Sequence, residues 1–225
     1  MPMHYLIRTL PALTLGLALA VSAAEHAGHE HHHHGAAGDG ADPHAHHKAM
    51  MSKPAEVEPS ADIDLRDRTL VDQDGQEVRF VSDVIGDKIV VMDFVYTTCT
   101  TVCPVLSAVF VQLQERLGEQ LGQEVALVSV TVDPVRDTPQ RLKAYSARYD
   151  ARDGWVWLTG PKTTVDDVLT GVGAYSVNFE DHPSMVLVGD GSTGQWSRFF
   201  GFPSPDRIME QVNALQAARQ GTAGG

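Results

Sequence analysis

The chain has 225 residues and a formal net charge of −12 at pH 7, with 29 acidic side chains against 17 Lys and Arg. That sign argues against nucleic acid or an anionic membrane surface as a partner, and no repeat of solenoid period is present. Only two cysteines occur, Cys99 and Cys103 in "YTTCTTVCP", with three residues between them. A loop that short removes little entropy from the unfolded chain, so a bond between them would contribute little to stability.

The first residues, "MPMHYLIRTLPALTLGLALAVSAAEHAGHE", place Arg8 ahead of an apolar run from Leu10 to Val21 and small residues up to Ala24. This is the pattern of a cleavable secretory signal over residues 1–24, and the run is shorter than the ~20 apolar residues a spanning helix needs. Export, most simply to a bacterial periplasm, is the expectation. No cysteine stands near the cleavage position to carry a lipid. Residues 25–60 are rich in Gly, Ala, Asp, Pro and His without hydrophobic periodicity, so a disordered segment is expected there. Residues 61–220 fit one domain, followed by a short disordered tail at 221–225.

Within the domain, "TLVDQDGQEVRF" alternates apolar and polar residues around Asp74-Gly75 and predicts a hairpin. "KIVVMDFVY" is nearly continuous apolar sequence, the mark of a strand buried on both faces. Pro104 is expected at the first helical position, with Leu106, Val109, Phe110, Leu113 and Leu117 on one stripe. "EVALVSVTVD" predicts the next buried strand. Thr138 and Pro139 then open a helix, the threonine as cap. "WVWLTG" gives a short strand, and Val165, Val168, Leu169 and Val172 share one face of the helix after it. "SMVLVGD" and "QWSRFF" flank a Gly-containing turn. Ser204-Pro205 caps a last helix that turns Ile208, Val212 and Leu215 inward. Strands alternating with helices imply a three-layer α/β domain with a partly parallel sheet.

The thiols therefore fall at the carboxyl end of a buried strand and the start of a helix, a usual place for chemistry in open α/β sheets. Partial positive charge at that helix terminus favours thiolate, and Cys103 is expected to sit at or just before it. Two thiolates form a disulfide or chelate a soft metal such as Cu(I) or Zn, whereas an iron–sulfur cluster calls for four cysteines. Of eleven histidines, His182 alone lies in the domain, in "FEDHPSMVLV". A lone histidine is most often a hydrogen-bonded residue without further role. Beside two thiolates, a neutral imidazole completes an S₂N site suited to copper, with Asp181 as a candidate to orient the ring.

"FVYTTCTTVCP", "VSVTVDPVRDTPQRL" and "DHPSMVLVGD", in this order, resemble the Sco/SenC family over roughly Asp64 to Leu215. The resemblance implies a thioredoxin-like three-layer domain with a central mixed sheet. Members of that family are exported copper proteins that help assemble the dinuclear CuA site of cytochrome c oxidase. It also implies Cys99, Cys103 and His182 as ligands for Cu(I) or Cu(II), and cytochrome c oxidase subunit II as the copper-receiving protein. Another periplasmic copper chaperone or a thiol reductant would be a further partner. The chain departs from the common pattern at Thr100-Thr101-Val102, in the short stretch before His182, and at Pro183. "HPSMVLV" also resembles the cis-proline arrangement of thioredoxin-fold oxidoreductases, which would put a cis bond at His182-Pro183. Asp133, Arg136 and Asp137 read as a local ion pair plus helix-start chemistry, with electrostatic tuning of the site as the alternative.

His26, His29, His31, His32, His33, His34, His44, His46 and His47, with Met50 and Met51 nearby, form an auxiliary metal-binding segment suited to copper. The run is interrupted by Gly, Glu and Ala behind a natural-looking signal, unlike an added tag. The leading expectation is a metallochaperone, whose transfer by ligand exchange involves no catalytic turnover. The alternative is a thiol–disulfide oxidoreductase in which Cys99 and Cys103 act as a redox dithiol that reduces client cysteines before metallation. A thiol peroxidase has weaker support, because Tyr96 stands where its motif places proline.

Overall fold

A computed structural model describes residues 55–223. The signal-like segment and the histidine-rich stretch lie outside the described residues. Eight strands form one mixed sheet in the order β1-β8-β7-β4-β5-β6-β2-β3. They are β1 Glu56–Glu58, β2 Thr69–Asp72, β3 Glu77–Arg79, β4 Ile89–Val95, β5 Val125–Thr131, β6 Trp155–Thr159, β7 Met185–Asp190 and β8 Gln195–Phe200. Four α-helices accompany them: α1 Val102–Leu117, α2 Pro139–Ser146, α3 Lys162–Gly171 and α4 Pro205–Ala223.

The β2–β3 hairpin turns at Asp74-Gly75 as expected, with Gly75 at φ +82°, a conformation that costs glycine little. β4, β5 and β6 are parallel, and every residue of β4 and β5 is buried. Side chains alternate across β4. Ile89, Val91 and Val95 join Leu106, Phe110 and Leu113 of α1 and Ile208 and Val212 of α4 in one core. Val90, Met92 and Phe94 face the other way onto Leu70, Phe80 and the α3 residues Val165, Val168 and Leu169. Two cores, one on each side of the sheet, give the three layers their cohesion.

Three local features differ from the expectations. Helix α1 begins at Val102, so Cys103 lies inside its first turn and Pro104 follows it; the missing N–H of proline still falls among the four that have no intrahelical acceptor. Glu56–Glu58, at the end of the segment read as disordered, pairs antiparallel with β8 as an edge strand. No peptide bond among the described residues is cis, so His182-Pro183 is trans and the cis-proline reading is corrected. Thr138 caps α2 as expected, its hydroxyl accepting from Arg141 N–H at 3.3 Å. Ser204 does the same for Arg207 N–H ahead of α4. No described helix is long and apolar enough to cross a membrane.

Candidate metal centre

Parallel β4 and β5 end side by side, at Val95 and Thr131. β7 runs against β4 with Val186 opposite Asp93, so the residues just before β7 fall at that same end. This topology brings the Tyr96–Cys103 loop, the Asp133–Asp137 loop and His182 together from three distant parts of the chain.

Both thiols are free, Cys99 only 7% exposed and Cys103 fully buried. The backbone N–H of Cys103 donates to the Cys99 sulfur at 3.3 Å. The Thr101 side chain makes no cap to α1, so the Cys99 sulfur sits where an N-cap oxygen usually does. The Cys103 thiol donates to that sulfur as well, the largest influence on Cys99; backbone N–H groups of Cys103 and Thr101 and the Tyr96 hydroxyl add to it against the cost of burial. The Cys99 thiol is thereby lowered to about 4. Cys103 goes the other way, raised by its bond to Cys99, by burial and by the field of Asp93. The thiolate thus belongs to Cys99, in the loop facing the helix terminus, and not to Cys103 within it.

His182 is half-buried, and its Nδ1 lies 2.7 Å from the carbonyl oxygen of Phe179. That contact assigns the proton of the neutral ring to Nδ1 and leaves the Nε2 lone pair available to a metal. Asp181 does not orient the ring; its carboxylate accepts from the Asn178 side-chain amide at 3.0 Å. Between His182 and the thiols stands Tyr96. Its ring meets His182 edge-on at 6.0 Å and Phe179 edge-on at 5.1 Å, while its hydroxyl bonds to Cys99. Among the described residues no three His, Cys, Asp or Glu side chains already stand in a metal-holding group. The structure brings the two cysteines together and sets His182 one aromatic ring away. The nine auxiliary histidines lie outside the described residues.

Two buried carboxylates, Asp137 and Asp93, have roles that the sequence reading missed. Asp137 is fully buried and accepts from Thr97 N–H at 3.1 Å, Thr97 Oγ1 at 2.6 Å and Thr131 Oγ1 at 2.6 Å. It ties the cysteine loop to the end of β5. Asp133 makes the expected local pair with Arg136 at 2.9 Å, and that guanidinium also lies over the Phe179 ring at 5.4 Å. Asp93, in the middle of β4, is fully buried and accepts from Ser129 Oγ at 2.6 Å. Burial raises its carboxyl to about 7. Asp93, the one acidic residue inside "KIVVMDFVY", was the available signal.

A mixed α/β sheet with a dithiol at the first helix after a central strand is a thioredoxin-like domain. The SCO1/SenC family profile matches residues 60–213, and the chain belongs to that family. It is 36% identical over 93 residues to the SCO1 protein homolog of Bacillus subtilis, covering 41% of this chain and 47% of that protein. It is 26% identical over 154 residues to an SCO2-like protein of Rickettsia conorii, covering 64% and 73%. The chain therefore spans about half the length of the Bacillus subtilis relative it matches. Among solved structures it superposes on BsSco, described as a member of the Sco family of cytochrome c oxidase assembly proteins, with a TM-score of 0.59 and 25% identity. That match covers 70% of this chain and 95% of BsSco. Bradyrhizobium japonicum ScoI, solved with copper bound, gives 0.54 and 25%, covering 66% and 95%.

Proposed function

We propose that this chain is exported to the periplasm, holds copper through Cys99, Cys103 and His182, and delivers it to a copper enzyme. Family membership and the CuA role of the resembled proteins favour subunit II of cytochrome c oxidase as the receiver. The observation that carries the reading is the buried dithiol with one thiolate already formed and a histidine Nε2 available beside it. Copper is cargo here. A soft ion exchanges its ligands for two thiolates, and binding expels the proton that Cys103 holds tightly in the metal-free protein. His182 supplies the third ligand through Nε2, its ring held by the Phe179 carbonyl and the edge of Tyr96. Val135, Tyr175 and Val177 are exposed apolar side chains on the loops at this end of the sheet, a contact area for the receiving protein.

The test is a Cu(I) titration against a chromophoric chelator, anaerobic and reduced, on a chain whose nine auxiliary histidines are alanine. One tightly held copper, weakened at least tenfold by His182→Ala, is the expected result. Failure to retain copper, or indifference of both Cu(I) and Cu(II) to His182, would leave a redox dithiol and remove the chaperone reading.

A further inference from the structure

His182 follows a segment that has little to hold it in place. From Tyr175 to Asp181 every residue is exposed except Ser176 and Phe179, which are half-buried. Phe179 opens a single 3₁₀ turn, Phe179–Asp181, and packs against the core that contains Val132 and Leu169. Its carbonyl oxygen accepts twice from His182, from the backbone N–H at 3.3 Å and from the ring Nδ1 at 2.7 Å. Wherever Phe179 is fixed, the imidazole is fixed with it.

Two groups hold the Phe179 ring. Tyr96 meets it edge-on at 5.1 Å, and the Arg136 guanidinium lies over it at 5.4 Å. A guanidinium within about 6 Å of an aromatic face is attracted by the quadrupole of the ring. Arg136 is exposed, yet its place is well determined. Its Nη1 donates to Asp133 Oδ2 at 2.9 Å, and the Asp133 side chain is only 5% exposed. Its backbone N–H donates to the Asp133 carbonyl at 3.1 Å, and its own carbonyl accepts from the Arg141 guanidinium at 3.2 Å. The next residue, Asp137, accepts from the Thr97 and Thr131 hydroxyls. Adjacent side chains of one loop therefore reach the two halves of the site, Asp137 the cysteine loop and Arg136 the histidine segment.

We propose that Arg136 and Phe179 are positioning residues for His182, and that the loop from Asp133 to Asp137 sets the separation between imidazole and dithiol. The proposal rests on the copper role proposed for His182. Arg136 acts through the Phe179 ring. Phe179 acts through its carbonyl, which keeps the ring proton at Nδ1 and leaves Nε2 to the metal. A site assembled from distant chain segments binds more tightly when each arrives already placed, because ordering a loose segment on binding weakens affinity.

The test begins without copper, on the chain whose nine auxiliary histidines are alanine, by NMR of the His182 ring nitrogens at about pH 8, where the imidazole is neutral. Wild type is expected to show one fixed tautomer, protonated at Nδ1. Arg136→Met keeps the side-chain length and removes the cation, whereas Arg136→Lys keeps a cation within reach of the ring. Phe179→Leu removes the ring and keeps the carbonyl. Arg136→Met should move the two nitrogen shifts toward each other, as the tautomers begin to exchange, and weaken copper about two- to fivefold. Arg136→Lys should stay near wild type, and Phe179→Leu should change more than either. The Cys99 ionisation midpoint should be the same in wild type and both Arg136 variants, which separates lost histidine placement from general loosening of the site. Unchanged ring shifts in Arg136→Met and Phe179→Leu overturn the proposal. So does a response to Arg136→Lys as large as that to Arg136→Met, because a cation over the ring is then not what holds it. If the shifts respond as expected and wild type retains no copper, the placement of His182 by Arg136 and Phe179 stands and the copper reading alone falls.

Discussion

The Cys103 amide lies 3.3 Å from the Cys99 sulfur, so the first turn of α1 is capped by the residue that precedes the helix and carries the thiolate. The two cysteines share one proton between unequal positions. With Cys99 held at about 4, its thiolate is fully formed from about pH 5 upward. An ultraviolet thiolate titration of the metal-free protein should show one sulfur ionising near pH 4 and none further up to pH 9. Cys103→Ala removes the largest influence and should return the Cys99 midpoint toward the ordinary thiol range. A single midpoint near 8 in the wild type would contradict the asymmetry.

Asp93 makes stability fall with rising pH. Its folded value, about 7, lies above the ordinary 3.8, so between the two the folded state holds more protons than the unfolded one. Stability is fullest at and below about pH 4, declines to about pH 7 and is flat beyond, a total of at most roughly 4 kcal/mol at ~1.4 kcal/mol per pH step. Asp93→Asn keeps an oxygen for Ser129 and removes the charge. Urea unfolding should show this variant ~2–4 kcal/mol more stable than wild type at pH 8 and nearly equal at pH 4. Removing the nearby negative charge should also make Cys103 easier to ionise. A constant difference across pH would show that the wild-type carboxyl does not titrate there.

Asp137 joins the cysteine loop to β5 through Thr97 and Thr131. Asp137→Ala leaves several donors without an acceptor, and each buried donor so abandoned costs about 1–3 kcal/mol. A loss of at least about 2 kcal/mol is expected, together with faster alkylation of Cys103 as the loop loosens. Unchanged alkylation in a destabilised variant would separate Asp137 from the site.

The sequence exposed the strands and helices because their apolar patterns are dense and local. β4 reads as buried on both faces, since six of its seven residues are apolar. β1 escaped because it is three residues long and its partner β8 lies some 140 residues away. Asp137 escaped for a related reason: its position suggests the start of α2, while its bonds cross to Thr97 through space. The order of thiolate and thiol was also not local, because it depends on which sulfur the α1 amides face.

Tyr96 connects the two halves of the site, and its two functions separate by mutation. Tyr96→Phe keeps the ring against Phe179 and His182 but deletes the hydroxyl that bonds to Cys99. The Cys99 midpoint should rise while the His182 ring resonances stay in place. Tyr96→Ala removes both, and the edge contact that orients the imidazole disappears. An aromatic edge contact is worth about 0.5–1.5 kcal/mol, so Cu(I) affinity should fall about three- to tenfold in the alanine variant and less in phenylalanine. Tighter copper binding by Tyr96→Ala would instead mean that the ring obstructs His182, and that copper loading must first displace it.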